Sequence, residues 1–330
     1  MNVVITGAGG FLGNQIAREL SKRRALRFSP GTSKFINSLT LIDKTFGPAA
    51  KTGFAPFVSF AETDVGEGDS LRSLIRPDTS AVFHLAAMVS GDGEKNFDGC
   101  MQTNLDGTRA LLEACRAIGP QLRLVFASSL AVFGGRNMPA VVSDDTKLLP
   151  QTTYGVTKAI GELLINDYSR RGFIDGRAAR LPTIFIRPGH PNAAASSFAS
   201  SLFREPLAGA QCRLPVLRSQ AVPLLGYRRV VDNLITLMEC DSAELGDDRV
   251  VTLPSTRYLV TDMIASLNRV ADRKNIRLGP ILDQPDKSII KIVEGWPVGT
   301  EASRAKALGL KADDSVEQVI EDYCADFLTL

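Results

Sequence analysis

The chain has 330 residues, enough for two domains or one large α/β unit with a smaller appendage, and its 44% hydrophobic and 22% charged content excludes a disordered or fibrous class. With 38 basic against 36 acidic residues the net charge is only +2, and the short cluster Lys22-Arg23-Arg24 complements the negative pole of a helix end, so charge gives no nucleic-acid footprint. Five scattered cysteines without metal spacing, no apolar run of about 18 residues and no leader pattern argue against a disulfide scaffold, a metal site, a membrane span and secretion; a cytoplasmic protein with reduced thiols is expected.

Residues 2–13, NVVITGAGGFLG, begin as a strand, turn on glycines and continue with helical periodicity from Phe11. Gly7 and Gly10 permit a sharp turn and close approach of the backbone to phosphates, with Gly9 between them. Gly13 lets the helix pack against the strand, and the helix start at Phe11 and Leu12 offers free N–H groups at a positive dipole end. This is the pattern of a dinucleotide pyrophosphate site.

A polar loop is expected over 28–37. The strand at 39–43 follows and ends in Asp43, whose carboxylate can accept hydrogen bonds from an adenosine ribose and repel a 2′-phosphate; this favours NAD over NADP. A third strand at 57–60 precedes Asp64-Val65, where the acid either binds the adenine amino group or caps the next helix, 69–75, which stops before Pro77. The fourth strand and its turn, 81–87, bring Leu85, Ala86 and Ala87 to a place where a cofactor needs backbone access, and His84 inside that apolar strand reads as a hydrogen-bonded core histidine. Residues 88–94 read as a flexible segment beyond a strand's C-terminal end, making Ser90 and Gly91 candidate substrate contacts. One long helix is expected over 96–118, with Asn104 at its middle needing buried partners, then a fifth strand at 122–127 leading to Ser128-Ser129, then a helix over 153–170. The strand and helix alternation predicts an α/β protein with a doubly wound parallel sheet.

Beyond 178 the pattern loosens. A strand over 181–186 enters the breaker-rich run 187–192, followed by helices or strands near 196–204, 220–225, 230–240, 250–253, 260–272, 289–293 and 315–328. No linker marks residue 180, so the expected organisation is a cofactor-binding domain over 1–180 and a smaller, interleaved C-terminal substrate-binding lobe over 181–330. Arg187, Asn192, Ser196 and Ser197, with Ser90, could hold a carboxylate, which calls for an arginine fork or several hydroxyl and amide donors; Arg187 could instead pair with a core acid, and the serines could cap a helix.

Tyr154 and Lys158 lie four residues apart, one turn from each other on one helix face. A phenol is a poor base at neutral pH, and a nearby lysine, with the positive charge of a nicotinamide, favours the phenolate. Tyr154 can then take a proton from a substrate hydroxyl while hydride leaves the same carbon. Ser129, 25 residues earlier at a strand end, can hold the reacting oxygen, and Lys158 can reach the nicotinamide ribose.

Together, the glycine turn Thr6–Gly13, Asp64-Val65, His84-Leu85-Ala86-Ala87, Asn104, Ser128-Ser129, Tyr154 with Lys158, and the tail run 303–309 resemble the extended short-chain dehydrogenase/reductase family. The resemblance covers nearly the whole chain. It implies an NAD-binding Rossmann sheet, with Ser129, Tyr154, Lys158 and Asn104 at the catalytic centre, no metal, and a homodimer paired through the two long helices. That family divides between nucleotide-sugar epimerases or dehydratases and dehydrogenases of sugar acids. Phe133, where many nucleotide-sugar members carry tyrosine, leans toward the second group, as do the runs 168–177 and 187–200 and Gly295-Trp296-Pro297, which are similar to a dehydrogenase oxidising a four-carbon sugar acid to its 2-keto acid. A nucleotide-sugar epimerase with tightly bound NAD is the alternative. A non-catalytic NAD sensor would have no use for the intact Ser129, Tyr154 and Lys158 set.

Overall fold

Apolar, largely β-branched stretches recur between helices, and seven of them assemble into one parallel sheet in the computed structural model, which describes residues 1–29, 31–189 and 195–328. The strands are β1 Asn2–Thr6, β2 Ser38–Asp43, β3 Val58–Glu62, β4 Thr79–His84, β5 Arg123–Ser129, β6 Asp175–Leu181 and β7 Val250–Thr252. Their order is β7-β6-β5-β4-β1-β2-β3, parallel at every step. Both faces are covered, so the inner strands are largely buried; Val3, Val4, Ile5 and Thr6 of β1 all are. The order reverses between β1 and β4, and ligands of open parallel sheets bind beyond the strand C-termini at such a reversal.

The helices that matter for the site are α1 Phe11–Arg23, α2 Gly68–Leu74, α3 Ser90–Lys95, the rod α4 over 97–116, α5 Thr153–Arg170, α6 Phe198–Leu207 and α7 Tyr227–Glu239. A three-stranded sheet of Thr183–Phe185, Ala221–Gly226 and Thr256–Leu259, with α6, Val260–Lys274 and Val316–Phe327, encloses a second core around Phe185, Phe203 and Leu224. Among the described residues no helix is long and apolar enough to cross a membrane.

Four expectations need correction. The loop over 28–37 is mostly a hairpin of Ala25–Ser29 and Thr32–Phe35. Arg24 takes the left-handed conformation (φ 51°) directly after α1 and stacks on Phe35 and Phe57, while the outer strand is wholly exposed and so carries no alternation to read. The sixth parallel strand is 175–181 rather than 181–186; residues 183–185 already belong to the second sheet. Arg177, fully buried, disguised it: its guanidinium pairs with Asp175 and donates to the carbonyls of Leu237, Met238 and Cys240. The flexible segment at 88–94 is largely α3. The helix expected over 96–118 spans 97–116 and contains a π-helical turn, Met101–Asp106, at the level of Asn104. Single π turns of this kind gather at functional sites.

Candidate active site

The glycine turn leaves β1 at the point where the sheet order reverses. Gly7 has φ +73°, and a Cβ there would lie 2.6 Å from the Ala86 nitrogen; at Gly13 it would lie 2.2 Å from the Gly7 carbonyl oxygen. Only glycines allow α1 to start this close to β1 and to the turn that follows β4 through Leu85, Ala86 and Ala87. The α1 N-terminus has no side-chain cap and no acid in its first turn, so its N–H groups stay available to an anion. Phe11 and Leu12 contribute through backbone, because the Phe11 ring packs on Tyr227 and Phe327 and Leu12 against the first core. Asp43 lies at the end of β2 with Oδ2 accepting from Gly9 N at 2.8 Å. These groups fit a dinucleotide: an unobstructed turn, unpaired helix-start donors, and a carboxylate beside them.

Asp64 does not cap α2, whose N-cap is Glu67. Its Oδ1 accepts from Gly66 N, its Oδ2 pairs with Lys44 at 3.0 Å, and the Gly66 N–H foremost holds its pKa below the usual value. Val65 is buried, and its carbonyl presses on Gly107 of α4. His84 is a core residue. Nδ1 lies 2.6 Å from Thr6 Oγ1, and Nε2 lies 3.0 Å from Thr108 Oγ1, which itself donates to the Asn104 carbonyl. Nε2–H is therefore the donor, and burial lowers the pKa to about 3, keeping the ring neutral.

Tyr154, Lys158 and Ser129 converge as the spacing requires. Thr152 Oγ1 accepts from Gly155 N and fixes the start of α5, so Tyr154 falls on its first turn and Lys158 on its second. The Lys158 ammonium is 5.7 Å from the Tyr154 ring centre, donates to the Ala127 carbonyl at 2.7 Å and lies over Phe126. Burial brings Lys158 down to about 7. Burial raises the Tyr154 pKa, and a hydrogen bond with Ser129 foremost, then the positive charge of Arg187, pull it back down. Ser128 turns inward and donates to Glu162, which Arg180 also grips.

Asn104 ties the π turn to its surroundings. Its Oδ1 accepts from Met88 N at 2.7 Å, and its Nδ2 donates to the Met88 carbonyl and to Thr157 Oγ1 on α5. It thus clips the segment before α3 to the helix carrying Tyr154.

A cavity of about 980 Å³ adjoins Tyr154 and Ser129, lined by Ser90 and Gly91 from α3, by Arg187, and by Ser196. Asn192 lies outside the described residues. Arg187 makes no ion pair among the described residues. Its backbone is fixed instead: its N–H donates to Ser200 Oγ at 3.1 Å and its carbonyl accepts from Arg204 at 2.9 Å.

The model of the NAD-dependent epimerase/dehydratase family matches residues 3–244. The chain belongs to that family. It is similar to two family proteins named D-erythronate dehydrogenase, one from Cupriavidus necator (47% identical over 326 residues, 99% of this chain and 98% of the relative) and one from Haemophilus influenzae (41% over 323 residues, 98% of each). A solved structure described as the nucleoside-diphosphate-sugar epimerase from Agrobacterium tumefaciens matches at TM-score 0.89 and 40% identity, covering 99% of this chain and 94% of that one.

Within this epimerase/dehydratase scaffold, sequence reasoning missed Glu205 and Trp296 on the cavity wall and the role of Arg204 behind it. The signal for Glu205 was present: Phe198, Ser201 and Glu205 recur at helical spacing, but the helix was expected to stop at 204, before Pro206. It continues to Leu207, with Pro206 inside its last turn. Phe133 is buried and stacks under the Arg180 guanidinium.

Proposed function

We propose that this member of the family is an NAD-dependent dehydrogenase that oxidises a secondary hydroxyl of a small sugar acid, with D-erythronate to its 2-keto acid as the best candidate. Bound NAD supplies the hydride acceptor, held by the glycine turn, by Asp43 and Asp64 at the adenosine end, and by Lys158 at the nicotinamide ribose. Ser129 holds the reacting oxygen, Tyr154 takes its proton, and Asn104 positions α5 and the 88–91 edge. Residues 1–180 form the NAD-binding part and 181–330 the substrate-binding lobe; Arg187, with Ser90, Gly91, Asn192 and Ser196, receives the acid.

One observation carries the reading: the cavity holds a cation, Arg187, that has no acidic partner among the described residues and whose field acts on Tyr154. A guanidinium in that state calls for an anion beside the base, which a 2-hydroxy acid supplies. The relatives named D-erythronate dehydrogenase support the same substrate class. We further place the protein as a homodimer pairing α4 and α5, since these helices expose Phe97 (60%), Val156 (38%) and Leu163 (63%).

The test is NADH absorbance on a panel of four- to six-carbon sugar acids with NAD and, separately, NADP. Acid-dependent accumulation of NADH is expected, and no turnover on the panel defeats the proposal; preference for NADP defeats the role of Asp43. The second reading, a nucleotide-sugar epimerase, has in its favour a cavity larger than a four-carbon acid fills and the likeness to the Agrobacterium protein. It predicts no net NADH, because hydride returns to the same substrate.

A further inference from the structure

Behind Tyr154 and Lys158 lies a buried charge pair that takes no part in the proton transfer itself. Glu162 follows Lys158 by one helical turn on the same face of α5 and is 1% exposed. Arg180 of β6 grips it, with Nε donating to Oε1 at 3.1 Å and Nη2 to Oε2 at 3.0 Å. Ser128 donates its hydroxyl to the same Oε1, so one carboxylate joins the end of β5 to α5 and β6. Arg180 is itself held, stacked on Phe133 and donating to the Asp144 carbonyl. Stability alone does not account for such a pair, because well-packed apolar residues of similar volume commonly serve a fold as well or better. What the pair adds is a fixed place for the strand end.

That strand end carries Ser129. Lys158 Nζ donates to the Ala127 carbonyl at 2.7 Å, Ser128 is bound to Glu162, and Ser129 Oγ accepts from Ala131 N at 3.1 Å as the chain turns into Leu130–Val132. Helix and strand also meet closely. A Cβ at Gly155 would lie 2.2 Å from the Ala131 carbonyl oxygen, and one at Gly161 would lie 2.6 Å from the Phe126 ring, so their spacing has little slack.

We propose that Glu162, held by Arg180, is a positioning residue for the reaction: through Ser128 it fixes the end of β5 against α5 and so sets Ser129 at bonding distance from Tyr154. This rests on the dehydrogenase reading of the site and adds a part to it. The hydrogen bond with Ser129 is foremost among the groups lowering the Tyr154 pKa, so a Ser129 set adrift leaves a phenol that gives up its proton only at higher pH. Burial raises the Glu162 pKa, and the bonds from Arg180 foremost, then Ser128, oppose that rise. The other ionisable groups facing the network act in known directions. Lys158 on α5 is lowered by burial and raised by the Glu162 charge; His84 on β4 is kept neutral by burial; the Cys100 thiol on α4 is raised by burial; Asp248, before β7, adds to the rise of Glu162. Arg187 acts on Tyr154 from the other side.

Ser128→Ala cuts the link while leaving the pair of Glu162 and Arg180 in place, and Glu162→Ala removes the carboxylate. Both are compared with wild type for kcat and KM across pH on the sugar acid that turns over best, with melting temperature as the folding control. The ionisation of Tyr154 is also followed without turnover, as phenolate absorbance after rapid pH jumps, subtracting the same protein carrying Tyr154→Phe. Ser128→Ala should lower kcat about tenfold with KM changed less than about twofold, because positioning is lost and the contact of the acid with Arg187 is kept. Its ascending limb and its phenol midpoint should both move up by about half a pH unit. Ser128→Thr, which returns the hydroxyl, should restore the midpoint. Glu162→Ala should shift limb and midpoint the same way and lower the melting temperature as well; should it fail to fold, Ser128→Ala decides alone. A lower melting temperature with kcat and midpoint unmoved in Ser128→Ala overturns the proposal and leaves Glu162 a structural residue, and so does a rise in KM alone. If wild type oxidises no acid, the reading of the reaction fails, and the phenol midpoint still decides the positioning role: a shift in Ser128→Ala supports it and an unmoved midpoint overturns it.

Discussion

Arg187→Ala separates the two roles the sequence leaves open for this residue. Its side chain lacks an acidic partner among the described residues and is repelled by Arg204, while its structural bonds to Ser200 and Arg204 are made by backbone and survive truncation. Folding should therefore cost nothing measurable, and melting temperature should hold or rise slightly. Binding should suffer. Removing one partner of a desolvated charge pair costs about 2–5 kcal/mol, and Arg187 is only partly buried, so the low end applies: about 2 kcal/mol, or a rise of about thirtyfold in KM for the sugar acid. Because the Arg187 charge also acts to lower the pKa of Tyr154, its loss should move the ascending limb of the oxidation profile to higher pH. Arg187→Lys restores the charge without the planar fork, so it should recover the limb but not KM. Initial rates at saturating NAD across pH measure both, and the fluorescence of Trp296, the single tryptophan and a cavity residue, reports binding without turnover. An unchanged KM together with a lower melting temperature would refute the recognition role.

Three more outcomes follow from the same geometry. Tyr154→Phe should abolish turnover while cofactor binding persists, and in wild type kcat/KM for oxidation should climb with pH, since burial raises the phenol; a profile flat to the alkaline side would exclude Tyr154 as base. His84 has a folded pKa of about 3 against 6.5, so below pH 6.5 the unfolded chain binds the extra proton, and stability present above 6.5 is lost toward pH 3 at about 1.4 kcal/mol per pH unit. Urea midpoints at pH 7, 6 and 5 read that slope, which His84→Gln should lessen; an identical slope in the variant removes the assignment. Leu163→Arg, on the exposed face of α5, should give a monomer by light scattering where wild type is a dimer; a monomeric wild type sinks the proposed interface.

How much was legible depended on whether a segment's signal was local. The glycine turn and α5 were readable because strand, turn, capping residue and periodicity follow one another in the chain; the structure bounds α5 as Thr153–Arg170, as expected. β6 was misplaced because its buried charges, Arg177 and Arg180, are matched by Asp175, Glu162 and distant carbonyls that no local pattern shows. The π turn was invisible for a related reason: Asn104 invites it by reaching Met88 and Thr157, contacts 16 and 53 residues away. The positive charge of Arg187 near the phenol of Tyr154 was not legible, because the crossing between the two sheets that brings it there has no local signal.

The cations around Tyr154 bear on which substrate class the site suits. Lys158 is buried with its ammonium on a backbone carbonyl, and Arg187 stands across the cavity wall, with Arg204 behind it compensated by Glu205. The region beside the base therefore carries more positive charge than its acids neutralise. A nucleotide sugar bears its negative charge on the diphosphate, several bonds from the sugar carbon that is oxidised, so seating its neutral ring by Tyr154 would leave the partly buried Arg187 without an anion, at a cost of about 2 kcal/mol. A 2-hydroxy acid carries its carboxylate on the reacting carbon itself, so the same placement that would offer the C2 hydroxyl to Tyr154 would offer the anion to Arg187. On the proposed reaction the product would be a 2-keto acid of unchanged charge, held by the same contact, with the proton passing to Tyr154, whose pKa the Arg187 charge acts to lower. On that reading one cation would serve binding and base strength together, an arrangement open to a sugar acid and closed to a sugar whose charge lies elsewhere.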